Sequence, residues 1–205
     1  MRTQDDAPRP ALGPKLDTGT RYGDALKFSA LQRREVYLDS YVGEDTASIL
    51  VREISFLAET PAPITIRISS NGGSVESELA IVDALRAAQR KGCKVIGEVY
   101  GHGMSAAFEV LQACDVRRMG KSAILMVHGI TAWTVGDLRD LNAEQKLLAR
   151  LHKDQAAFHA VRSTAPEGSK YRTVEFWLKI LESATPVYLF PDDALEWGVV
   201  DEVEE

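Results

Sequence analysis

The stretch that most constrains the fold lies between residues 64 and 100. "ITIRIS" alternates Ile64, Ile66 and Ile68 with Thr65 and Arg67, the period of a strand with one face in a core. It runs into "SNGGS" (70–74), a turn with two flexible residues. A helix follows through "VESELAIVDALRAAQRKG", with Gly92 where a helix end wants left-handed backbone. "KVIGEVY" (94–100) is the next strand, and it delivers the chain to a further helix that starts near Ser105. Strand, helix, strand, helix with short turns predicts parallel pairing through right-handed crossovers, an α/β fold.

The flanking segments extend this pattern. "REVYLDSYV" (34–42) reads as a strand and "DTASILVREISFLAE" (45–59) as a helix. Ala47, Leu50, Val51, Ile54, Leu57 and Ala58 form its apolar stripe, Asp45 or Thr46 is the expected cap, and "TPAP" ends it. "DVRRMGKSAILMVHG" predicts two short strands joined at "GKS". The longest helical segment runs from about Gly136 to Thr164, with Leu148, Leu151, Phe158 and Val161 on one face. Longer than the globular average, it is expected to project or to pack on another subunit. A helix over about Thr173–Ser183 stops before Pro186. "VYLF", "PDDALEWG" and "VVDEV" close the chain as strand, short helix capped by Asp192 or Asp193 and stopped at Gly198, and strand. There is no internal repeat, and residues 22–205 read as one domain. Residues 1–21, rich in Pro, Gly and charge, are expected to be flexible, as a removable segment or a binding arm, and carry no apolar stretch of a secretory signal.

Composition excludes several function classes. With 205 residues the chain can bury a sizeable core. A net charge of −6 argues against a general nucleic-acid binder. No apolar run approaches the ~20 residues of a membrane span. The two cysteines, Cys93 and Cys114, make neither a disulfide framework nor a zinc-ligand spacing, and read as reduced buried thiols of a cytosolic protein. Neither a metal nor a cofactor is expected.

One segment poses a chemical question. In "VYGHGMSAAFEVLQACD" (99–115), Ser105 follows two glycines at the front of an apolar helix. It is either a helix cap or a nucleophile. A serine nucleophile needs a base, a group to orient that base, and amide donors for the developing oxyanion. The N–H of Ala106, in the first helical turn, is one donor candidate, because such groups lack an internal partner. The Gly72–Gly73 turn is the other, through Gly73, although a Gly-Gly pair also serves simply to reverse the chain. Of four histidines, His152 and His159 fall inside the long charged helix and read as surface residues. His102 lies in the glycine turn beside Ser105. His128 ends the apolar strand "SAILMVHG", where α/β enzymes place functional groups, though a structural histidine is also compatible.

As an ordered set these features resemble the proteolytic subunits of the caseinolytic Clp proteases. The serine motif of that family resembles Gly101-His102-Gly103-Met104-Ser105, and its histidine motif resembles Met126-Val127-His128-Gly129. Its proline-bearing glycine turn is similar to "SSNGGS", with Asn71 in the proline's place. Ala194-Leu195-Glu196-Trp197-Gly198-Val199-Val200-Asp201 resembles the family's C-terminal motif, and Asp83, Gly136 and Asp140 are further correspondences. The resemblance runs from about Tyr22 to the C-terminus. It implies a Clp/crotonase-like single domain of repeated strand-turn-helix units with a protruding long helix. It also implies a serine endopeptidase with Ser105 as nucleophile, His128 as base, and the Gly73 and Ala106 amides as oxyanion donors. Ungapped counting back from "ALEWGVVD" puts Glu182 where the family has its catalytic aspartate, with Glu175 the competing acid. Trp133 stands in a segment that lines the substrate channel in the family.

The partners implied are copies of the chain in a ring, in the family stacked heptamers, an AAA+ unfoldase, and unfolded polypeptides, in the cytoplasm, with neither nucleic acid nor membrane. The alternatives are a weakly active or inactive ring subunit of the same fold and a crotonase-like enzyme of acyl-coenzyme A thioesters, which also uses two amides against an oxyanion.

Overall fold

The structure is a computed structural model that describes residues 22–131 and 135–204. The residues before Tyr22, and Trp133, lie outside the described residues. The chain opens with α1 (Tyr22–Gln32) and β1 (Glu35–Leu38), continues through α2 (Glu44–Leu57), β2 (Ile64–Ser70) and α3 (Val75–Arg90), and reaches β3 (Val95–Met104). Then come α4 (Ala106–Gln112), β4 (Val116–Gly120), β5 (Ile124–Val127) and α5 (Leu138–Arg162). A short 3-10 turn, Lys170–Arg172, precedes α6 (Val174–Leu181), β6 (Val187–Leu189), α7 (Pro191–Glu196) and β7 (Glu202–Glu204).

Strands β1, β2, β3, β4 and β7 pair in that order, all parallel, as the repeated strand-helix alternation predicts. The alternation in β2 is realised residue by residue: Ile64, Ile66 and Ile68 are buried in the hydrophobic core. Its other face carries charge. Arg67 pairs with Glu98 at 3.0 Å and Glu35 at 3.3 Å, and Arg118 with Glu98 at 3.3 Å and Glu202 at 2.7 Å, a ladder across the strands.

The sheet forks at β3, and the fork builds the site. Ile96–Val99 pair with β4, while His102–Met104 pair with β5. Gly101 lies at the divergence with φ of 77°, backbone that glycine adopts without strain. Strand β5 then pairs antiparallel with β6.

Several local expectations change. Helix α2 starts one residue early, at Glu44, so its cap is Gly43 and neither Asp45 nor Thr46. The strand expected over 34–42 narrows to Glu35–Leu38, with Val42 making an isolated bridge to Gly73. Helix α5 starts in a capping box of Asp137 and Asp140, and its first half is largely exposed. Its core face is Ala156, His159 and Ala160, rotated from the expected stripe, and Val161 is 81% exposed. His159 is therefore a core residue and His152 is half-buried, which corrects their reading as surface groups. Periodicity counted apolar letters, whereas a histidine paired with a buried acid occupies the core position instead. Both cysteines are free and buried.

Candidate active site

Register places Ser105 and His128 together. Met104 of β3 is opposite Met126 of β5, and the next amide, that of Ser105, donates to the carbonyl of Met126 at 2.9 Å. Two residues beyond Met126, at the exit of β5, stands His128. Its Nε2 lies 2.9 Å from the Ser105 Oγ. Ser105 occupies the N-cap position of α4, yet its hydroxyl makes no capping hydrogen bond. The hydroxyl faces the imidazole instead.

The backbone of Ser105 is strained, with φ of 54° and ψ of −124°. A non-glycine residue in such a conformation costs about 1–3 kcal/mol and persists only where its surroundings hold it. Here the hydrogen bond to Met126 on one side and α4 on the other hold it. The effect is a sharp strand-to-helix turn that presents the side chain at the edge of a cavity.

The glycine turn closes in from the other side. A Cβ on Gly72, whose φ is 91°, would lie 2.5 Å from the Met104 carbonyl oxygen and 2.9 Å from the Ala106 nitrogen. Only a glycine lets this turn approach the serine so closely. Gly73 and Ala106 line the same cavity as Ser105 and His128. Ala106 opens α4, so its N–H has no intrahelical partner. Among the described residues no backbone hydrogen bond uses the Gly73 N–H.

Glu182, the C-cap of α6, lines a second cavity together with His128, His152 and Leu181. Among the described residues no hydrogen bond joins its carboxylate to His128, and its charge acts on His152. Burial lowers the pKa of the His152 imidazole, and Glu182 opposes that shift. Glu175 sits in the first turn of α6, exposed and away from this cavity. His102 lies within β3 opposite Ile124. The structure thus brings Ser105, His128, Gly73 and Ala106 together at one cavity, and Glu182 shares a second cavity with His128.

Four neighbours escaped the sequence reading. His152 accepts a hydrogen bond from the Ile130 N–H at 2.9 Å, just past His128. Glu78, Glu109 and Gln155 line the cavity of Ser105. A signal did exist for Glu109, the one charge within the apolar run "AAFEVL".

Among the described residues, no group of three or more His, Cys, Asp or Glu side chains could hold a metal, and no helix is long and apolar enough to cross a membrane.

The family model described as Clp protease matches residues 19–205. The ATP-dependent Clp protease proteolytic subunit 2 of Rhodococcus jostii is 27% identical over 191 residues, covering 90% of this chain and 91% of that protein. Its counterpart from Corynebacterium efficiens is 26% identical over 191 residues, covering 90% and 89%. A solved structure of a ClpP1 variant from Listeria monocytogenes superposes with a TM-score of 0.74 at 20% identity, covering 88% of this chain and 96% of that one, which establishes the shared fold. The match along almost the whole chain leads to one conclusion: this chain belongs to the Clp protease family.

Proposed function

We propose that the chain is a serine endopeptidase in which Ser105 is the nucleophile and His128 its base. The observation that carries this reading is the 2.9 Å contact between Ser105 Oγ and His128 Nε2 at a strained turn. Nε2 takes the hydroxyl proton as Oγ bonds to the peptide carbonyl carbon. The carbonyl oxygen gains negative charge and is received by the Gly73 and Ala106 amides, each such donor worth about 3 kcal/mol of barrier. The imidazolium then protonates the leaving amine, and the C–N bond breaks to leave an acyl-enzyme. Water, deprotonated by the same imidazole, then bonds to the acyl carbon; the ester C–Oγ bond breaks as the imidazolium returns its proton to Oγ, and the carboxylic acid product leaves.

Glu182 is the acid that orients His128 in this scheme. It lines a cavity with the imidazole, which Glu175 does not, and catalytic hydrogen bonds often tighten only with substrate bound. Family membership supports assembly of copies into a ring, an AAA+ unfoldase as the source of substrate, unfolded polypeptides as that substrate, and a cytoplasmic setting where ATP is available.

A second reading, a weakly active ring subunit, is favoured by one observation: no acid hydrogen-bonds His128 among the described residues. Fluorophosphonate labelling with peptide mapping separates the two. Label on Ser105 that drops about a hundredfold or more in Glu182→Gln supports the triad, since a misoriented histidine can cost ~10⁴ in rate. Label lost in Glu175→Gln instead moves the acid to α6's first turn. An assembled protein that takes no label at all is the weakly active subunit.

A further inference from the structure

The cavity that holds Ser105 and His128, about 110 Å³, is unusual in what else lines it: the side chains of Glu78 from α3, Glu109 from α4 and Gln155 from α5. The same three residues line a neighbouring cavity with Val82, Arg86 and Phe158, so they form the wall between the two. Glu78 is 4% and Glu109 7% exposed. Burying two carboxylates side by side is costly unless cations or hydrogen bonds compensate.

The compensation present is incomplete. Glu109 Oε1 lies 3.0 Å from His159 Nε2, which satisfies one oxygen. Among the described residues nothing hydrogen-bonds to the Glu78 carboxyl, and the buried Gln155 Oε1 has no partner. Arg86, the nearest cation, is 45% exposed, spreads over the Phe158 ring at 5.2 Å and makes only a 3.9 Å contact with Asp83. Among the described residues the wall therefore holds the partnerless Gln155 Oε1 and a buried Glu78 carboxyl that no cation pairs. A group with several N–H donors and a positive charge supplies what is missing.

We propose that this cavity is the subsite for the side chain of the residue whose carbonyl Ser105 attacks, and that Glu78, Glu109 and Gln155 select lysine or arginine there. The proposal rests on the peptidase reading above and gives it a substrate class. In the empty site, burial first and the charge of Glu109 second push the Glu78 carboxyl up to about 9, with Arg86 opposing weakly. The groups that share its two cavities are Glu109 from α4, Asp154 and Gln155 from α5, His128 beyond β5, and Arg86 from its own helix, with His159 bonded to Glu109. Burial remains when an ammonium or guanidinium enters, but the added positive charge beside the carboxyl favours its ionised form, so Glu78 gives up its proton as the cation binds.

The test uses peptide diphenyl phosphonates, which transfer phosphorus to an activated serine, on the purified full chain. Three probes differ only in the side chain beside the phosphorus: lysine, its uncharged isostere norleucine, or glutamine. A small fluorophosphonate without a side chain reports the nucleophile itself. The expected result is Ser105 labelling about a hundredfold faster with lysine than with norleucine. That ratio falls at least tenfold in Glu78→Gln and turns toward norleucine in Glu78→Leu. Norleucine or glutamine probes reacting as fast as lysine in the unmodified chain overturn the proposal. If fluorophosphonate also leaves Ser105 unlabelled, the peptidase reading is what fails. Calorimetry with n-butylammonium then decides the cavity: binding with proton release that Glu78→Gln abolishes upholds the cation site, and no binding overturns it.

Discussion

The imidazole of His152, on α5, accepts a hydrogen bond from the backbone N–H of Ile130 at 2.9 Å. Ile130 is two residues beyond His128, so this bond ties the exit of β5 to the long helix and limits where the His128 ring can point. His152→Ala should therefore slow fluorophosphonate labelling of Ser105 by about tenfold, the worth of one hydrogen bond expressed in geometry. His152→Gln, whose amide oxygen can accept from the same N–H, should recover most of the rate. A purely packing role would show equal losses in both variants.

The same contact has a pH signature. Burial holds the His152 imidazole below its ordinary value against the opposing charge of Glu182, so the folded state favours the neutral ring. For a group whose folded pKa is depressed, the contribution is complete above the unfolded value of about 6.5 and is lost as pH falls through the folded value. Denaturant titrations should show the stability gap between wild type and His152→Gln narrowing as the pH drops below about 6.5. A constant gap from neutral to acid pH would refute the assignment.

Arg117 and Asp201 make a second decisive pair. The Arg117 side chain is fully buried, with its Nη2 2.7 Å from Asp201 Oδ1, and the Arg117 backbone N–H donates to Oδ2 at 2.8 Å. Burial pushes the Asp201 carboxyl up, but the hydrogen bonds and charge of Arg117 outweigh it and hold it below its ordinary value. Asp201→Ala strands a buried guanidinium and should cost about 3 kcal/mol by urea unfolding. Because the folded pKa is depressed, the wild-type advantage over Asp201→Asn is full above the ordinary carboxylate range and disappears as pH falls below it.

Gly73 has no room for a side chain, since its Cβ would lie 2.3 Å from the Val42 carbonyl oxygen. Gly73→Ala must displace the turn, and with it the N–H proposed to receive the oxyanion. Peptidase activity should fall by roughly a hundredfold or more, the effect of losing one such donor. Reaction with a fluorophosphonate, which needs the same stabilisation, should fall in parallel.

The buried pair of Glu109 and His159 invites a double-mutant cycle. His159→Leu leaves the Glu109 carboxylate unpaired and should cost about 3 kcal/mol, whereas Glu109→Leu combined with His159→Leu should recover much of that loss. Additive losses in thermal or urea unfolding would show that the two do not act as a pair.

Much of the framework was legible in the letters. The isoleucine alternation of β2, the glycines at 72 and 73, and the apolar strand ending in His128 are local patterns, so the α/β order could be read along the chain. Ser105 and His128 could be singled out as polar residues at the ends of apolar elements. What no local pattern carries is register. The fork of β3 at Gly101 decides that Ser105 meets His128, because the pairing of Met104 with Met126 is a relation between strands. Burial of charge is likewise a tertiary property. Glu78 and His159 look like solvated helix positions in sequence, since helical periodicity treats every charge as outward. Packing α3, α4 and α5 against one another turned them inward and set an acidic wall beside the nucleophile. Short-range chemistry is thus written in the order of the residues, while the distances and dielectric that give it a direction arise only where distant segments meet.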